Sequence, residues 1–355
     1  MKCLPASKLP SAKGRVLHDW HAEVLVTRAF NHFVLQECKA IITDGKDSPY
    51  LRRSTSTTTD GPPGGQPHFC WMEDVTLHMY CSEAPCGDAS MELTISAQQD
   101  ASPWEAPLPP HLMPDKTSDS ASAPELALLG RACFGQLGVV RRKPARADAP
   151  PSLSKSCSDK LALRQCASLL SSPAALLVSP AGVYLTSLVL PETQYSAAAC
   201  ERCFSARGRL APLGAAETEW EDGYVFRPFT VQTTVLEFEY SRRGAGHKEG
   251  LRYVASNLAT AWSCNGLEEN LIGGVLQGRK QSDTRAGSAV SRGKMWTLAQ
   301  EIGRQAEPDR IFPTLGTYGA FKNSPGLTMR HKVKEDVRGE ALKGWVRNTG
   351  DDDFD

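Results

Sequence analysis

The feature that most constrains this chain is a set of metal-donor side chains placed far apart. His21-Ala22-Glu23 stands near the start, and Pro85-Cys86-Gly87 follows only after a long interval. An imidazole and a thiolate are ordinary zinc ligands, and a carboxylate two residues after the histidine can reach a water on the metal rather than the metal itself. A fold that uses these residues must bring two distant segments together and add a third donor. That donor is not in the expected place, because the position three after Cys86 is Ala89.

Cys157 is the best candidate for the missing donor, since Ser156-Cys157-Ser158-Asp159-Lys160 opens a predicted helix over 161–170. Cys81 competes by proximity, and Cys200 and Cys203 form a C-x-x-C pair that could be half of a structural zinc site. Donors at helix N-termini suit the chemistry, because the positive end of a helix dipole favours thiolate and hydroxide and helps Glu23 stay ionised.

Composition excludes several classes. The chain has 355 residues, 41% hydrophobic and 23% charged, the balance of a globular protein with a sizeable core. Forty basic residues against forty acidic leave no global attraction for a polyanion, so any such site must be a local basic patch. Eleven cysteines and an N-terminal Met1-Lys2-Cys3-Leu4-Pro5 without an apolar run point to free thiols in a reducing, intracellular setting, cytoplasm or nucleus. The apolar stretch from Ala174 to Leu190 is broken by Ser179-Pro180-Ala181-Gly182 and reads as strand, turn, strand rather than a membrane span.

Apolar periodicity predicts a helix from Ala22 to Lys39 with Asp19 as its N-cap. Alternation at Val75, Leu77 and Met79 predicts a strand that ends just before Cys86. Further strands are expected over Val183–Leu190 and Val231–Tyr240, and a helix over Ser291–Gly303. Segments 44–68 and 98–124, rich in Pro, Ser, Thr and Gly, read as flexible insertions that add nothing to a core. Interleaved strands and helices give a mixed α/β domain over 1–355.

Three stretches, His21-Ala22-Glu23-Val24-Leu25, Ser82-Glu83-Ala84-Pro85-Cys86-Gly87-Asp88-Ala89-Ser90 and Ser156-Cys157-Ser158-Asp159-Lys160-Leu161-Ala162, carry a resemblance. They resemble the three motifs of the tRNA-specific adenosine deaminases, relatives of the RNA-editing adenosine deaminases. The resemblance implies a cytidine-deaminase-like three-layer α/β core with added C-terminal elements. It implies zinc on His21, Cys86 and Cys157, with Glu23 as proton shuttle. The implied reaction is hydrolytic conversion of adenosine to inosine in tRNA, next to the anticodon of alanine tRNA, by attack at C6 of adenine. Ahead of Met1 the family has an N-terminal helix and first strand, so the resemblance suggests a truncated start. That leaves a second expectation, a silent RNA- or inositol-phosphate-binding protein. No stable protein partner is implied.

The resemblance also implies a buried inositol hexakisphosphate. Arg28, Lys160, Lys294, Tyr318, Lys322, Lys332 and Trp345 look like the family's contacts to it, whereas Thr27 and Leu163 stand where the family often has arginine. Separately, Arg141-Arg142-Lys143-Pro144-Ala145-Arg146 puts four cations in six residues, which suits contacts to an RNA backbone or a solvated loop.

Overall fold

Three parallel strands form one sheet. Leu185–Pro191 lies between Leu77–Tyr80 on one side and Thr230–Thr234 on the other. The middle strand is almost wholly apolar and buried along most of its length, as a strand covered on both faces must be. Parallel neighbours need crossovers. The helix Cys157–Ala167 lies between the first two strands in the chain, and the helix Ala197–Phe204 between the second and third. All three strands therefore end on one edge of the sheet, and the segment leading to Cys86 leaves from that edge.

The computed structural model describes residues 2–54, 67–96, 128–130, 133, 135–144, 149–215, 220–241, 256–306 and 316–354. The insertion expected at 98–124 lies outside the described residues, as do residues 55–66 of the one at 44–68. The segment 44–68 needs a correction. Leu51–Arg53 is a strand paired antiparallel with Phe69–Trp71, and Leu51 is 2% exposed in the core. Polar composition in the middle of the segment hid an apolar anchor at its start.

The helix Ala22–Thr43 runs one turn beyond its expected end and packs on the helix Arg292–Ala306 and the strand Leu258–Ser263. Its N-cap is His21, not Asp19; the Asp19 carboxylate instead accepts the His21 backbone N–H at 3.0 Å. The strand expected over Val231–Tyr240 stops at Thr234. The neighbouring strand has already turned away after Pro191, so Val235 and Tyr240, 77% and 79% exposed, have no sheet to pair with. An antiparallel ladder of Leu258–Ser263, Leu267–Ile272 and Val275–Leu276 and the C-terminal helices Tyr318–Lys322 and Thr328–Glu340 complete the α/β architecture. Buried apolar residues from Leu4 to Phe354 belong to one cluster. No helix among the described residues is long and apolar enough to cross a membrane.

A candidate metal centre and an adjoining cation-lined cavity

His21, Cys86 and Cys157 meet. Their donor atoms all lie within 4.8 Å of one another, with Nδ1 of His21 3.8 Å from each sulfur. Each arrives on a different element. His21 caps the Ala22–Thr43 helix, Cys86 follows the strand Leu77–Tyr80, and Cys157 is the first residue of the Cys157–Ala167 helix. Ser156 caps that helix by accepting the Asp159 N–H, and the Cys157 N–H donates to the Cys86 sulfur at 3.4 Å.

Local hydrogen bonds lock the two cysteine segments together. The Ser158 N–H donates to Cys86 O at 3.0 Å, its hydroxyl donates to Pro85 O at 2.9 Å, and that hydroxyl accepts the Ala89 N–H. Gly87, at φ 104°, passes directly under Ser156; a Cβ there would lie 2.3 Å from the serine Oγ. The P-C-G-D order is thus a packing requirement as well as a source of a ligand.

The electrostatics favour a cation between the donors. The Cys86 thiol is held well below the usual thiol range, first by the hydrogen bond from Cys157, against burial, and further by Lys143 and His21. Cys157 is pushed up by burial and by Cys86, its partner in sharing one proton. His21 is held up at about 10: burial opposes its charge, but hydrogen bonding to Cys3 and Cys86 outweighs that. Glu23, in the first turn of its helix, is raised by burial and by the Cys86 charge. A carboxyl raised in this way can both take up and return a proton. One imidazole and two thiols match zinc, and three protein ligands leave a fourth position open for a reactant.

Lys143 sits behind the cluster and corrects an expectation. Its ammonium donates to Cys157 Sγ at 3.2 Å and to Asp19 Oδ2 at 2.8 Å, and it is 4% exposed, so it cannot meet an RNA backbone. Arg141, 1% exposed, is likewise unsuited, because its guanidinium donates to the carbonyls of Gly130, Cys133 and Gln136. Arg142 is half-buried, and Arg146 lies outside the described residues. The basic run looked like a surface loop because sequence does not reveal that its 141–143 backbone ladders with 154–156 beneath the metal site.

Asp19 continues the connection away from the cluster. It is held well below the usual carboxylate range; burial opposes this, but Lys143 and Lys160 overcome it. Lys160 donates to the same Oδ2 and to Ser154 Oγ. Beyond Lys160 opens a cavity of about 850 Å³ lined by ten lysine and arginine side chains against four carboxylates. Burial and neighbouring cations push Lys155 down to about 7 and Arg164 to about 9, and hold Lys334 well below its usual range. Rings supply only weak relief, with the Lys155 ammonium 5.2 Å and the Arg338 guanidinium 5.3 Å from the Trp345 centroid.

Arg28, Lys160, Tyr318, Lys322 and Trp345 line this cavity as expected from sequence; Lys294 and Lys332 do not and are exposed. The error is one of helical phase. On Thr328–Glu340 the inward face is Arg330, Lys334 and Arg338, four residues apart, and Lys332 falls on the opposite side. On Arg292–Ala306 the inward residues are Arg292 and Met295. Leu163 lines the wall, and its neighbour Arg164 supplies the cation there. Lys2 was also missed; half-buried, its ammonium is lowered by burial and partly restored by the carboxylate of Glu23.

Comparison with known proteins agrees with this geometry. The chain is similar to a tRNA-specific adenosine deaminase 1 of Schizosaccharomyces pombe, 32% identical over 356 residues that span 99% of this chain and 82% of that protein. A tRNA-specific adenosine deaminase 1 of Saccharomyces cerevisiae is 33% identical over 175 residues, 48% of this chain and 39% of that protein. A double-stranded RNA-specific editase B2 of Rattus norvegicus is 31% identical over 98 residues, 26% of this chain and 12% of that protein. Residues 1–349 match the adenosine-deaminase (editase) domain, and the chain belongs to that family.

Proposed function

We propose that this protein hydrolyses adenosine to inosine in tRNA, at the position next to the anticodon of alanine tRNA, within the cell. The observation that carries the reading is the convergence of His21, Cys86 and Cys157, with Glu23 in the first turn of the helix that His21 caps. A zinc ion on those three donors would supply Lewis acidity toward water. Glu23 does the rest of the proton chemistry: its carboxylate takes the two protons of the attacking water in turn, passing the first to the ring nitrogen N1 and the second to the departing amine, so that the C6–N bond breaks and ammonia leaves. Burial raises the affinity of Glu23 for that proton. Cys86 and Cys157 would supply the negative charge that holds the metal, and Lys143 donates to Cys157 from behind.

The cation-lined cavity supports a second element of the proposal, a buried polyphosphate such as inositol hexakisphosphate. Ten basic side chains line the cavity with only four carboxylates, and a multivalent anion would offset their mutual repulsion. Such an anion would rest on Arg28, Lys155, Lys160, Arg164, Lys334 and Arg338.

Incubation of the purified protein with alanine tRNA, read by sequencing for inosine, tests the activity. The wild type should convert one adenosine, and Glu23→Gln should retain zinc while losing about 10²- to 10⁴-fold in rate. A wild type that binds zinc and tRNA without forming inosine makes the protein a silent binder instead.

A further inference from the structure

Cys3 belongs neither to the donor set nor to the cation-lined cavity, yet the fold holds it against the metal-side histidine. Leu4 N–H donates to His18 O at 3.0 Å and Trp20 N–H to Lys2 O at 2.9 Å. These bonds flank an antiparallel bridge between Cys3 and Asp19. The Cys3 side chain, 1% exposed, is thereby brought to a place where its sulfur, an Asp19 carboxylate oxygen and a His21 ring nitrogen lie within 4.8 Å of one another.

This triad is not a second metal site. Asp19 Oδ2 already accepts from Lys143, Lys160 and Ser154, two of them cations that would repel a metal ion. Nor is it filled like a simple packing site. Nδ1 of His21 faces both Cys86 and Cys157, so the ring proton sits on Nε2 whenever Nδ1 offers its lone pair to a metal. A buried ring N–H needs an acceptor, and such an acceptor orients the ligand and raises its basicity. The sulfur of Cys3, buried and within 4.8 Å of a His21 ring nitrogen, is placed to be one.

We infer that Cys3 is a positioning residue for the metal centre: its sulfur accepts the Nε2 proton of His21, fixing the ring and its tautomer so that Nδ1 points between Cys86 and Cys157. The inference rests on the zinc reading proposed above. It assigns to a thiol the role that a carboxylate or carbonyl usually plays behind a zinc-bound histidine.

Competition with a coloured zinc chelator, applied to the wild type, Cys3→Ala and Cys3→Ser, tests it without reference to catalysis. Alanine should weaken zinc binding by about 10- to 100-fold, the range for a lost partner of a ligating histidine, whereas serine, whose oxygen can accept the same proton, should stay close to wild type. The kcat should follow zinc occupancy with KM unchanged. Cys3→Ala binding zinc as tightly as wild type overturns the inference, as does a melting temperature lowered by serine more than by alanine at equal zinc affinity, the pattern of plain packing. Cobalt-loaded Cys3→Ser with a weakened thiolate-to-metal absorption band would make Cys3 a direct ligand and also overturn it. A wild type that binds no zinc sinks the zinc reading itself, a result distinguishable from all of these.

Discussion

The metal cluster and the cation-lined cavity are opposites joined by one carboxylate. In the cluster, donors that need a cation converge: two thiols and an imidazole, with Cys86 already shifted toward thiolate. In the cavity, cations that need an anion converge, and their acidities show the strain in Lys155, Arg164 and Lys334. Asp19 accepts from Lys143 on the cluster side and from Lys160 on the cavity side. The comparison teaches that the two regions carry opposite excesses of chemistry, donors in one and cations in the other, and that three charged side chains, Lys143, Asp19 and Lys160, connect them.

The sharpest break removes a donor from the cluster alone. Cys157→Ser should abolish zinc retention and with it all deamination, while leaving polyphosphate binding in place; metal analysis beside phosphorus analysis on one sample separates the two. Cutting the link is next in size. Lys143→Met withdraws the ammonium that donates to Cys157, so zinc affinity should fall by about 10- to 100-fold, read by chelator competition. Unchanged affinity would mean that the two regions are energetically separate.

Relieving the cavity should act the other way. Lys334 is lowered by burial and by Arg330, Arg338 and Lys322, so Lys334→Met should weaken polyphosphate binding yet leave the polyphosphate-free protein as stable as wild type or more so. Calorimetric titration with inositol hexakisphosphate and melting curves without it provide the two readouts; a polyphosphate-free variant less stable than wild type contradicts the idea of mutual repulsion.

The smallest effect is a pH dependence. Burial first, and then Lys160 and Arg338, depress Lys155 from 10.5 to about 7, against the opposing pull of Asp159. Between those values the unfolded chain binds a proton that the folded one does not, so the stability of the polyphosphate-free protein rises with pH from about 7 to about 10. A bound polyanion keeps Lys155 charged, which removes that rise and makes binding weaken over the same window. Melting curves at several pH values, with and without inositol hexakisphosphate, should show the two slopes diverging; parallel slopes would remove Lys155 from the anion site.

The donor residues were legible because their chemistry is local. H-x-E and C-S-D-K each place a donor at the start of a helix, and the helix expected over 161–170 begins at Cys157 itself. The α/β class was legible from the apolar run at Leu185–Pro191 and the helical periodicity after His21. Where a basic residue points was not. Arg141 and Lys143 read as a surface patch, and Lys332 and Lys294 as cavity contacts, because charge predicts exposure or anion binding only once the neighbours are known.

Sequence by itself therefore determined which side chains, His21, Cys86 and Cys157, offer donors that can meet, and that Glu23 accompanies them, since those are properties of residue type and short spacing. Tertiary structure alone decided which cations face inward. Helical phase selects Arg330, Lys334 and Arg338 over Lys332, and the ladder under the metal site buries Lys143 against Cys157. The physical reason is that a side chain's charge is fixed by its chemistry, but the cost of burying that charge, and the partner that offsets it, depend on segments that only folding brings together.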